Sequence, residues 1–192
     1  MAIQKGKKRW FTVIAPTVFG EKELSEVPAF ALDELKGRLV EVTGQMLTGL
    51  PKDANRKYML LINSFRGEKA LTIPVKYWIT ASFAFRSARK YKEREYFVFY
   101  PKTKDGIELR LKLQFLHPKK LHRSERGALL KKLKEVLSSL TSAYDSREIF
   151  KPNNLDELSS NLKKTLSEER AIEKILIMAL SIRNLSELQK LS

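Results

Sequence analysis

Lys7, Lys8 and Arg9 stand directly before Trp10 and Phe11, so a run of cations leads straight into two aromatic rings. Residues of these types do one kind of chemistry together: cations neutralise phosphate oxygens, and flat rings stack on bases or anchor the segment. The pairing recurs further along. Arg86, Arg89, Lys90, Lys92 and Arg94 precede the aromatic run Tyr96-Phe97-Val98-Phe99-Tyr100. Lys102 and Lys104 lie in the turn that follows, and Arg110 and Lys112 alternate with leucines. Lys119, Lys120, Arg123, Arg126, Lys131 and Lys132 close the series. With Lys5 near the start, these lysines and arginines together with Trp10 are the candidate RNA-binding set. Trp10 itself is open to either a base contact or a place in the core.

The basic excess is local. Residues 1–10 carry four basic residues and no acidic one, residues 86–134 carry sixteen against five, and the rest of the chain carries seventeen of each. The two segments therefore hold the whole net charge of +15. A general lysine bias leaves an excess everywhere, whereas a nucleic-acid surface concentrates it.

Catalytic and metal-binding patterns are missing. His117 and His122 are five apart, beside Pro118 and Arg123, with no carboxylate spaced to orient an imidazole for a metal or a triad. Phosphate-loop, dinucleotide-turn and His-Glu-x-x-His patterns do not occur. Glu21, Glu23 and Glu26, like Glu168 and Glu169, read as solvated helix faces rather than an acid–base pair. The absence of cysteine excludes disulfides, thiolate zinc sites and a thiol nucleophile, and suits a reducing cytoplasm. No apolar run of signal-peptide length follows the charged start, and none reaches the roughly 20 residues of a membrane span. No enzyme activity, cofactor, metal, membrane or small-molecule substrate is expected.

The elements that must position the cations change period at mid-chain. Residues 10–14, 37–43, 58–62, 70–73, 96–100 and 107–113 are β-rich or alternate apolar with polar, with turn signals at Arg66-Gly67-Glu68 and Lys104-Asp105-Gly106. The Asp-Gly pair predicts a type I′ hairpin. In residues 107–113 the odd positions are apolar and face a core, which leaves Arg110 and Lys112 outward. Residues 74–89 predict a less regular helix. Leu129, Leu130, Leu133, Val136, Leu137 and Leu140 form the stripe of an amphipathic helix, with Ser124 as its cap. Asn154 and Glu157 resemble a capping box for a second striped helix through Leu155, Leu158, Leu162 and Leu166. Residues 175–185 are apolar all round and fit helix or strand. The expected fold is α+β: an antiparallel β-barrel-like core, then amphipathic helices. The domain reading is a basic arm at 1–10, a β-rich core with one helix at 11–123, and a helical or mixed region at 124–192.

The order of these pieces resembles the S-three-A-e ribosomal proteins of the archaeal and eukaryotic small subunit. The resemblance rests on the opening from Lys7 through Trp10 to Ala15-Pro16, on Leu35-Lys36-Gly37-Arg38-Leu39-Val40-Glu41-Val42, and above all on Lys102-Thr103-Lys104-Asp105-Gly106-Ile107-Glu108-Leu109-Arg110-Leu111. The sequence departs from the family pattern at residues 63–67 and 71–74, and it lacks the longer C-terminal tail of many eukaryotic members. Leu180-Ser181-Ile182-Arg183-Asn184-Leu185 resembles a late family strand. The resemblance implies a structural role on the small-subunit platform, near the 3′ end of the rRNA and the messenger exit. The implied partners are rRNA, neighbouring ribosomal proteins and messenger RNA, and the implied location is the cytoplasmic ribosome. An off-ribosome RNA chaperone and an RNA-processing or RNA-modifying factor are the competing readings.

Overall fold

The computed structural model describes residues 7–118, 120–167 and 172–184. The chain divides into two compact units, Met1–Val75 and Lys76–Ser192. Strand β5 (Lys69–Ile79) runs from the first into the second.

In the first unit, β1 (Arg9–Ile14) pairs antiparallel with β2 (Glu23–Ala29), Arg9 opposite Ala29 and Val13 opposite Ser25. β1 also pairs parallel with the start of β5, so the core is not wholly antiparallel. β3 (Leu39–Thr43) pairs with β4 (Arg56–Arg66), which turns back into β5 through Gly67, at φ +61°, and Glu68. Phe11, Val13, Ala29, Leu35, Ile62 and Ala70 are buried together. Between β3 and β4, the short helix α1 (Gly44–Thr48) is tied down by the Thr48 hydroxyl, which donates to Asp53 at 2.9 Å. Gly44 is required here, because a β-carbon on it would lie 2.6 Å from the Asp53 carbonyl oxygen. Glu23 and Glu26 are on strand β2 rather than a helix face. Pro28 suits that strand because it is an edge, where no ladder donor is needed.

In the second unit the order is β5, β8 (Lys174–Ile182), β7 (Leu109–His117), β6 (Glu93–Phe99). The last strand in sequence thus lies between two earlier ones, antiparallel to both. Leu109, Leu111, Leu113 and Phe115 of β7 and Ile175, Ile177, Leu180 and Ile182 of β8 are buried. So is the leucine stripe of α3 (Arg123–Thr141) and α4 (Pro152–Ser167), at Leu129, Leu133, Leu137, Leu155, Leu158, Leu162 and Leu166.

The α+β class and the late strand are as expected from the sequence, but the strands do not close into a barrel. Residues 74–79 are strand, and α2 is confined to Ala81–Ala88. Val75, Tyr77 and Ile79 are buried at every second position, a strand period that outweighs the proline. His122, not Ser124, is the N-cap of α3, its backbone N–H donating to Glu125 at 2.9 Å. Asn154 lies inside α4 and donates from Nδ2 to the Glu148 carbonyl. At the hairpin only Gly106 has positive φ, +76°, and its N–H donates to the Thr103 carbonyl at 2.9 Å. The turn therefore has one left-handed residue rather than the two of a type I′ turn.

Candidate nucleic-acid interface

Paired residues of adjacent strands project to the same side of a sheet. In the second unit this sets Val98, Lys112, Ala179 and Trp78 in one row across β6, β7, β8 and β5. Arg110, Ser181 and Lys76 form the next. The side chains of this face pair cation with ring. Lys112 Nζ lies 5.5 Å from the Tyr96 centroid, Lys76 Nζ 5.0 Å from Trp78, and the Arg94 guanidinium 5.4 Å from Phe85 of α2. Arg183 lies 5.2 Å from Tyr100 and also bonds Glu108 at 2.8 Å. Tyr96, Tyr100 and Phe85 are 50%, 52% and 64% exposed, an unusual state for large rings on a folded sheet. Among the described residues, no carboxylate lies within ion-pair distance of Arg94, Arg110 or Lys112. Three cations of the first unit are placed differently: Lys57 meets Glu41, Arg66 meets Glu21 and Lys69 meets Glu23.

The other candidate cations fall elsewhere. Arg126 lies on the core side of β6, with Nε 3.6 Å from Glu95 and the guanidinium 5.5 Å from the Phe97 ring. Lys120 and Arg123 are exposed beside it at the start of α3, and Lys131 and Lys132 lie two turns on. The basic excess of residues 86–134 is therefore divided between two sides of the sheet. Arg86 is in the last turn of α2 and Arg89 is its C-cap, where cations satisfy the helix dipole without any ligand. Lys90 and Lys92 are exposed in the link to β6. Lys102 is exposed beside the hairpin turn, and Lys104 is 4.0 Å from Asp145. Lys7, Lys8, Arg9 and Trp10 are exposed on entry to β1, with Lys8 Nζ 5.5 Å from the Phe30 ring. Trp10 is 66% exposed and is not a core residue; Phe11 takes that place. Lys5 and Lys119 lie outside the described residues.

Sequence reasoning missed Lys76, Trp78, Phe85, Tyr96, Tyr100 and Arg183 as members of one surface. A period-two signal was present in Arg94, Tyr96 and Val98, but Lys76 and Trp78 were hidden by reading their segment as helix. His117 is buried and stacked 6.3 Å from Phe115, packed as a core residue. No cluster of three or more metal-capable side chains occurs among the described residues.

Fold and surface together define a basic α+β protein with cations and rings exposed on one sheet face. The chain belongs to the ribosomal S3Ae family, whose model matches residues 4–182. It is similar to small ribosomal subunit protein eS1 of Saccharolobus islandicus, 33% identical over 138 residues, or 70% of this chain and 65% of that protein. To the eS1 protein of Picrophilus torridus it is 26% identical over 169 residues, covering 88% and 81%. The alignment thus spans just under two thirds of the length of the Saccharolobus relatives.

Proposed function

We propose that this chain is a structural constituent of the small ribosomal subunit, serving translation by binding rRNA and neighbouring ribosomal proteins rather than by catalysis. The observation that carries the reading is the pair Arg110 and Lys112, cations on an exposed sheet face with no counter-carboxylate among the described residues, in a chain whose relatives are named for the small subunit. Unbalanced charge on a folded surface repels itself, and a phosphate backbone relieves that cost. The start of α3 supports the same reading. Arg123 adds positive charge where the helix dipole is already positive, an arrangement suited to an anion, whereas Arg126 is paired with Glu95.

The finer placement on the subunit platform, near the rRNA 3′ end and the messenger exit, follows the family resemblance, as do contact with messenger RNA and a cytoplasmic location. Sedimentation of ribosomes from cells expressing a tagged chain tests the reading. Co-migration with the small subunit at moderate salt is the expected result. A chain found mainly at the top of the gradient would instead be an off-ribosome RNA chaperone or processing factor.

A further inference from the structure

We infer that the sheet face formed by β6, β7, β8 and the end of β5 binds unpaired RNA, stacking bases on Tyr96 and Tyr100 while Arg110, Lys112 and Lys76 hold the flanking phosphates. This deepens the rRNA-binding reading and rests on it. Three observations converge on single-stranded RNA. First, Tyr96 and Tyr100 are half exposed, so ring surface outside the cation over each remains available to a base; duplex RNA keeps its bases stacked inside and offers sugars and phosphates to such a surface. Second, Lys112 lies over the Tyr96 ring and Lys76 over Trp78, within about 5.5 Å, which places at each of these rings a cation with no carboxylate partner among the described residues; Arg183, over Tyr100, is already paired with Glu108. Third, β8 places the small residues Ala179 and Ser181 between Lys112 and Arg110 of β7 and Trp78 and Lys76 of β5, so the face is low along these two rows. A protein partner fits less well, because lysine is depleted in the buried centre of protein interfaces and Lys112 stands in mid-row.

The ring of Tyr96 also has a structural role, since its hydroxyl accepts a hydrogen bond from Gln114 Nε2 at 3.0 Å, and Gln114 is buried. The test separates the two roles. Tyr96→Phe keeps the ring and loses that bond; Tyr96→Leu loses both; Tyr100→Leu removes a ring held only by Arg183 among the described contacts.

The full-length chain is titrated with oligouridine and with an RNA duplex of equal length. Wild type and Tyr96→Phe are expected to bind oligouridine alike, whereas Tyr96→Leu and Tyr100→Leu each weaken it about tenfold and change duplex binding by less than about twofold. In a Trp10→Phe background the remaining indole, Trp78, reports on the same face, and oligouridine is expected to quench its fluorescence.

Equal losses for Tyr96→Phe and Tyr96→Leu, equal effects on both RNAs, or an unquenched Trp78 would overturn the inference. The sedimentation test is separate: a chain that stays on the small subunit yet shows no ring-dependent preference for unpaired RNA sinks this inference and leaves the ribosomal reading standing.

Discussion

The carboxylate of Asp105 accepts a 2.9 Å hydrogen bond from the backbone N–H of Ser146, 41 residues further along the chain. Beside it the Lys104 N–H donates to the Tyr144 carbonyl at 3.1 Å, and the Thr141 hydroxyl donates to the Lys102 carbonyl at 3.2 Å. The β6–β7 hairpin is thus fastened to the end of α3, and the fastening fixes where β6 and β7 present Tyr96 and Lys112. The phenol of Tyr144 is held above its ordinary pKa, by burial first and then by the charge of Glu157, to which its hydroxyl donates.

Asp105→Ala leaves the largely buried Ser146 N–H without its acceptor and is expected to destabilise the chain by about 1–2 kcal/mol. Asp105→Asn keeps an acceptor oxygen and should lose less. Urea unfolding of the two variants measures the difference; equal stability of Asp105→Ala and wild type would show the clasp to be energetically idle.

Gly106 has φ +76° with open space where a β-carbon would go, so substitution there costs backbone strain and not a clash. Gly106→Ala is expected to lose roughly 1–2 kcal/mol, and the β-branched Gly106→Val more. Because the clasp holds the hairpin from both sides, the strands should keep their register. Thermal melts measure the loss; a Gly106→Val protein that melts like wild type would contradict the turn geometry.

Reversing Arg110 and Lys112 to glutamate should weaken RNA binding and leave the melting temperature within a degree or two, since both side chains are exposed and neither has a carboxylate partner among the described residues. Lys120→Glu with Arg123→Glu should behave alike. Arg126→Glu should in addition lose roughly 0.5–1 kcal/mol, because Arg126 contacts Glu95 and the Phe97 ring. Melting curves for the three variants, recorded with their RNA affinities, separate charge from packing.

If about six phosphates are neutralised, RNA affinity should fall about a thousandfold between 50 and 200 mM salt. The slope should decrease by roughly two on reversal of Arg110 and Lys112. A salt-independent affinity would exclude the basic faces as the binding surface.

Local chemistry was legible in the sequence wherever one residue's environment decided the outcome. Leu109 to Lys112 showed which side faces the core, and the leucine stripes of α3 and α4 showed which side packs. Illegible were the features set by distant partners. Residues 74–79 joined β5 because β8, more than a hundred positions later, pairs with Lys76, Tyr77 and Trp78. β2 carries three acidic or prolyl positions and reads poorly as a strand alone, yet β1 recruits it as an edge. Grouping Lys76, Tyr96, Lys112 and Arg183 likewise required the strand order, which no local period encodes.

Ultraviolet crosslinking of purified, salt-washed small subunits, followed by mass spectrometry of this chain, tests its central role most directly. Peptides holding Tyr96, Tyr100, Arg110 or Lys112 should carry rRNA nucleotides, at higher yield than peptides of the acid-paired first-unit surface around Lys57 and Lys69. Washed subunits that lack the chain, or that hold it with no nucleotide on those peptides, would contradict the assignment of this face to ribosomal RNA.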